Sequence, residues 1–80
     1  MILTYSLKAR KQLKRLPQSD QKKVLKKIKL LVEQPFMAKK LTGELDGYYA
    51  IRAWPYRILY SMQSDIIVIQ AVRHRQGAYR

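Results

Sequence analysis

Eighty residues, 48% of them hydrophobic, suffice for one core and leave no room for a second, so the chain reads as a single domain spanning 1–80. Seventeen Lys and Arg against five Asp and Glu give a formal net charge of +12, and the absence of cysteine excludes disulfides and thiolate metal sites. A field of that sign calls for polyanions: nucleic acid first, an acidic protein second, an anionic membrane surface third.

The chain opens on Ile2, Leu3, Thr4 and Tyr5, strand formers that end at Ser6, a good helix N-cap. This apolar stretch runs at once into Lys8, Arg10 and Lys11, too short for a signal peptide or a membrane span, and the expectation is a cytoplasmic protein. Leu7, Ala9, Leu13 and Leu16 then recur at helical spacing until Pro17. Ser19 or Asp20 is the expected cap of a second helix, whose stripe Val24, Leu25, Ile28, Leu31 and Val32 faces a core and which Pro35 ends. Lys22, Lys23, Lys26, Lys27 and Lys29 fall mostly between those positions, on a face open to a polyanion or simply solvated. The two helices are expected to form an antiparallel hairpin.

Lys39, Lys40, Thr42 and Gly43 read as loop, and Asp46 and Gly47 as a turn. From there the period changes to that of strands: Tyr48 to Trp54, Tyr56 to Met62 and Ile66 to Val72, with turns at Trp54 and Pro55 and at Gln63, Ser64 and Asp65. Connections that short demand antiparallel hairpins. The last of these strands is apolar on both faces, as a central strand would be. The predicted fold is therefore α+β: an N-terminal strand, a two-helix hairpin, then a three-stranded antiparallel meander, in one sheet with the helices on one face.

Candidate chemistry gathers at strand ends. Arg52 has the opposite parity to Ile51, so if Ile51 meets the helices Arg52 lines the other face. Arg57 follows a turn, with Tyr56 and Tyr60 nearby, and could equally form a surface ion pair with Glu44 or Asp46. Beyond the last strand lie Arg73, His74 and Arg75, and Tyr79 stands four residues after Arg75, a spacing that lets the two meet on a helical turn. A lone histidine without cysteine makes a metal site improbable, and the serines at 6, 19, 61 and 64 have no histidine and carboxylate arrangement around them. Arginines with a tyrosine and His74 remain, a set suited to binding phosphate and to stabilising the charge that develops on it.

Gly47, the strand with Arg52, Tyr56-Arg57-Ile58-Leu59-Tyr60, His74-Arg75 and Tyr79 together resemble the RelE/ParE superfamily of toxins from bacterial type II toxin-antitoxin systems, with Leu41-Thr42-Gly43-Glu44-Leu45 matching the segment that leads into the second strand. The resemblance covers nearly the whole chain. In the RelE branch it implies a ribosome-dependent endoribonuclease that cuts mRNA by attack of the ribose 2′-OH on the adjacent phosphate, without metal or other cofactor. On that reading Arg57 and Arg75 hold the phosphate, Tyr79 stacks on a base or assists proton transfer, Arg52 adds charge and His74 is an alternative acid or base. Ala50 stands where some members place a basic catalytic residue, which leaves the general base open. The lysines from Lys22 to Lys29 would contact ribosomal RNA, and an acidic cognate antitoxin would be the protein partner. The ParE branch implies instead a DNA gyrase inhibitor, and a third reading is a basic binding module without turnover.

Overall fold

The structure, a computed structural model, describes residues 2–34, 39–40 and 48–74. Within them the element order is β1 (Ile2–Tyr5), α1 (Leu7–Lys14), α2 (Gln18–Glu33), β2 (Lys39–Lys40), β3 (Tyr48–Ala53), β4 (Tyr56–Gln63) and β5 (Ile66–His74). The strands form one mixed sheet in the order β1-β5-β4-β3-β2. The expected meander is present, with β3, β4 and β5 antiparallel across turns at Trp54–Pro55 and Ser64–Asp65. The N-terminal strand joins it in parallel on the far side of β5, with Ile2 opposite Ile66 and Tyr5 opposite Ile69.

Two sequence expectations need correction. Lys39 and Lys40 form a short strand rather than loop, paired with Ala50 and Tyr49; lysine is a poor strand former, and only the partner strand fixes it there. Thr42, Gly43, Pro35, Asp46 and Gly47 lie outside the described residues. The second helix begins at Gln18 with Pro17 in the cap position and no side-chain cap from Ser19 or Asp20. Proline's fixed φ suits a helix entry, and Gln21 supplements it, its N–H donating to the Pro17 carbonyl and its side-chain amide to the Leu16 carbonyl. The two helices lie side by side on one face of the sheet, α1 over β5 and α2 over β3.

The core lies between that face and the helices. Ala9 from α1 and Val24, Ile28 and Leu31 from α2 meet Ile51, Ala53, Tyr56, Ile58, Tyr60, Ile67, Ile69 and Val72. The stripe read from the sequence is thus the buried one, except that Leu25 remains exposed. Tyr60 is its largest fully buried side chain and packs against its cross-strand partner Tyr49 with ring centroids 5.5 Å apart.

The other side of β5 is closed by side chains where β1 stops. The Ser6 hydroxyl accepts from the Ala9 N–H, capping α1, and donates to the Gln70 carbonyl, both at 3.0 Å. One helical turn on, the Gln12 side-chain oxygen accepts the Val72 N–H at 2.7 Å. Residue Val72 is 4% exposed, so its amide has no water to fall back on. A Gln12→Leu substitution is accordingly expected to destabilise the domain by about 1–3 kcal/mol, whereas Gln12→Glu, which keeps an acceptor, costs less. Urea unfolding of the two variants checks this; equal losses would refute the role of the bond.

Candidate nucleic-acid interface

The open face of the sheet is organised in rows by the strand register. Arg52 of β3 sits opposite Arg57 of β4, and Arg57 opposite Arg73 of β5. Directly paired residues share a face, so three guanidinium groups cross three neighbouring strands on the side away from the helices. With strands about 4.8 Å apart, the row is roughly 10 Å long. Arg52 is exposed, and Arg57 and Arg73 are half-buried. The next row is Ala50, Leu59 and Ala71, of which Leu59 and Ala71 are buried and Ala50 half-buried. Beyond it lie Tyr48, Ser61 and Val68, with the Gln70 side-chain amide donating to the Ser61 hydroxyl at 3.1 Å.

Arg73 reaches this row through a β-bulge. Residues Ile67 and Ile69 face the helices, and strict alternation would send Ala71 and Arg73 the same way. The register instead jumps at Leu59/Tyr60: Tyr60 pairs with Ile69 and Leu59 with Ala71, leaving Gln70 as the extra residue. After the bulge it is Val72 that enters the core, while Ala71 and Arg73 turn to the open face. The same shift carries His74 to the helix side. It pairs with Tyr56 and meets that ring edge to face, centroids 5.4 Å apart. The sheet therefore separates His74 from the arginine row. Arg75 and Tyr79 lie outside the described residues.

Like charges placed opposite one another cost a sheet stability, and the described carboxylates are engaged elsewhere. The Asp20 carboxylate accepts the Tyr56 hydroxyl at 2.7 Å on the helix side, Glu33 lines a groove between β1 and α2, and Asp65 occupies the β4–β5 turn. A row of guanidinium groups on one face is suited to an anion with several oxygens, which arginine forks can grip in two-pronged fashion.

The lysines of α2 divide between two surfaces. Lys23, Lys26 and Lys27 line a groove of about 500 Å³ shared with Leu30, Arg52, Ala53 and Trp54, whereas Lys29 lines the groove between α2 and β1. Lys22 is exposed. Trp54, read from the sequence as the end of a strand and the start of a turn, lies in the β3–β4 turn and is 62% exposed. Among the described residues no helix is long and apolar enough to cross a membrane.

Three phenols are held above their usual range. Burial, with the Tyr49 phenol beside it, pushes Tyr60 up to about 12; burial raises Tyr5; and the hydrogen bond to Asp20, then burial and that carboxylate's charge, raise Tyr56. A raised acid keeps its proton longer in the folded state, so its contribution is complete below the unfolded value of 10.0 and disappears as the pH climbs through the folded value. The free energy of unfolding is therefore expected to fall between about pH 10 and 12, and Tyr60→Phe to flatten that fall. A pH series of denaturant titrations, read alongside phenolate absorbance, measures both.

The family model described as the ParE toxin of the type II toxin-antitoxin system, parDE, matches residues 3–79. No curated protein matches the chain in sequence. Among solved structures, the RelBE2 toxin-antitoxin complex from Mycobacterium tuberculosis superposes with a TM-score of 0.85 at 29% identity, over 92% of this chain and 90% of that one. The intact RelBE toxin-antitoxin complex of E. coli gives 0.79 at 24%, over 91% and 94%, and a YoeB/ParE toxin from Agrobacterium tumefaciens 0.80 at 20%, over 92% and 98%. At the two lower identities the likeness is one of fold.

Proposed function

The chain belongs to the ParE toxin family of type II toxin-antitoxin systems, and we propose that within the wider RelE/ParE superfamily it has the RelE type of activity, that of a ribosome-dependent endoribonuclease acting on mRNA. The observation that carries this reading is the arginine row Arg52, Arg57 and Arg73 on the face the helices leave open. In such a cleavage the ribose 2′-OH loses its proton and attacks the adjacent phosphorus, the bond to the 5′ oxygen breaks, and that oxygen takes up a proton. The products are a 2′,3′-cyclic phosphate and a 5′-hydroxyl end. Charge grows on the non-bridging oxygens along the way, and fixed guanidinium groups stabilise it without metal.

Arg57, central in the row, is assigned to the scissile phosphate, with Arg73 and Arg52 on either side. From the family resemblance Arg75 adds a further guanidinium, and Tyr79 stacks on a base or moves a proton. His74, on the far side of the sheet, takes no part in this assignment. Lys22, Lys23, Lys26, Lys27 and Lys29 then hold ribosomal RNA through its phosphates, independent of sequence. The partner that restrains the toxin is an acidic cognate antitoxin, in keeping with the +12 charge and with the toxin-antitoxin complexes of M. tuberculosis and E. coli.

The test is a translation reaction with purified ribosomes and a defined message, with new RNA 5′ ends mapped by primer extension. Cleavage in the decoding site that requires ribosomes and leaves 5′-hydroxyl ends supports the reading. Intact message together with gyrase-linked DNA breaks would overturn it in favour of the gyrase inhibitor that the resemblance to the ParE branch implies.

A further inference from the structure

The groove between α2 and β3 holds more than charge. One wall is Lys23, Lys26 and Lys27, which the helical spacing i, i+3, i+4 sets on one face together with Leu30; the other is Arg52, Ala53 and Trp54 at the end of β3. Since β2 pairs only with Tyr49 and Ala50, this end of β3 is the edge of the sheet among the described residues. The Trp54 ring, 62% exposed, thus stands at an edge flanked by cations.

We infer that this groove is a single-strand RNA subsite in which an unpaired base stacks on Trp54 while its flanking phosphates are held by Lys23, Lys26, Lys27 and Arg52. The inference rests on the ribonuclease reading and extends it, because it names where RNA goes once it leaves the arginine row. Arg52 belongs to both sites: it ends the row and lines the groove. A strand lying across Arg73, Arg57 and Arg52 arrives at the edge of β3 and meets the groove there. An aromatic face set among cations is the combination by which proteins hold single strands without regard to sequence. An amphipathic acidic helix fits less well, since it needs apolar sockets spaced a helical turn apart along a groove. Here the apolar side chains, Leu30, Ala53 and Trp54, gather at one spot with the charges beside them.

Trp54 is the only tryptophan of the chain, so its emission reports on this groove alone. The experiment titrates the purified protein with a short unstructured oligoribonucleotide and, separately, with inorganic polyphosphate, which carries the charge but no base. Trp54 fluorescence is expected to be quenched by the RNA and not by polyphosphate. Measured by anisotropy of labelled RNA, Trp54→Leu is expected to weaken RNA binding by about 5- to 150-fold and Trp54→Phe by less, since a π face remains. Polyphosphate affinity stays unchanged in both, while Lys23→Glu with Lys26→Glu weakens both ligands. Circular dichroism verifies that each variant is folded.

If Trp54→Leu binds RNA as the wild type does, or if polyphosphate quenches as RNA does, the groove is a plain polyanion surface and the inference is overturned. Quenching by an acidic peptide where RNA gives none overturns it too, and assigns the groove to a protein partner. These titrations need no ribosome. Stacking without cleavage therefore fails only the ribonuclease reading, and cleavage without stacking fails only the subsite.

Discussion

Replacing Arg57 with Ala is expected to slow message cleavage by about 100- to 1,000-fold, the usual loss when one fixed donor to a developing oxyanion is removed. Arg57 is the only member of the row with an arginine opposite it on both neighbouring strands, so it has the most central reach to a bound phosphate. Arg57→Lys keeps the charge but not the planar fork, and should recover only a small part of the rate. Arg52→Ala, at the exposed end of the row, should show the smaller defect. Single-turnover cleavage on pre-bound ribosomes separates loss of chemistry from loss of binding. A variant that binds ribosomes normally and still cuts at the wild-type rate would remove Arg57 from the site.

Deleting Gln70 is expected to straighten β5 without turning Arg73 inward. With the extra residue gone, plain alternation from Ile69 sends Ala71 and Arg73 to the open face and Val72 to the core, the same facing that the bulge provides, and the pairs Leu59–Ala71 and Arg57–Arg73 stay in register. What is lost is the bulge's own bonding, the Gln70 side-chain amide to the Ser61 hydroxyl and the Ser6 hydroxyl to the Gln70 carbonyl, at about 1 kcal/mol each. Against a whole stability on the order of 5–15 kcal/mol the domain should still fold. Gln70→Ala is the control: it keeps the bulge and the carbonyl and loses only the bond to Ser61. Circular dichroism and urea unfolding of the two variants decide the matter. A deletion variant that fails to fold where Gln70→Ala folds would mean that the bulge itself, and not the facing of the residues around it, holds β5 in place.

That bulge also explains what the sequence could and could not reveal. Ser6 as a cap, the stripe Val24, Ile28 and Leu31, and the hairpins after Tyr48 follow from local chemistry and periodicity, and each is found in place. The facing of Arg52 away from the helices was legible from its parity with Ile51. That of Arg73 was not, since which of Arg73 and His74 faces the open side depends on the count of residues along β5. The available signal was Gln70, a polar residue inside the run Ile66 to Val72, where a strand often yields a residue to a bulge. The Lys39–Lys40 strand and the parallel seat of β1 lacked even that, because both are set by partners distant in the chain rather than by neighbours.

The pairing of β1 with β5 has a further bearing on when this toxin becomes able to act. The Ser6 and Gln70 contact spans 64 positions, and Ile2 reaches Ile66 over the same interval. Contacts that distant close late, because the chain entropy lost in closing the loop must be met before they contribute. β1 is made early in synthesis and has no strand to dock on until β5 has been made as well, and α1 cannot latch onto Gln70 and Val72 before then. The arginine row, which draws on β3, β4 and β5, is likewise incomplete on a nascent chain. The site proposed to act on the ribosome is thus assembled only once β5 has been made, and its assembly is set by topology.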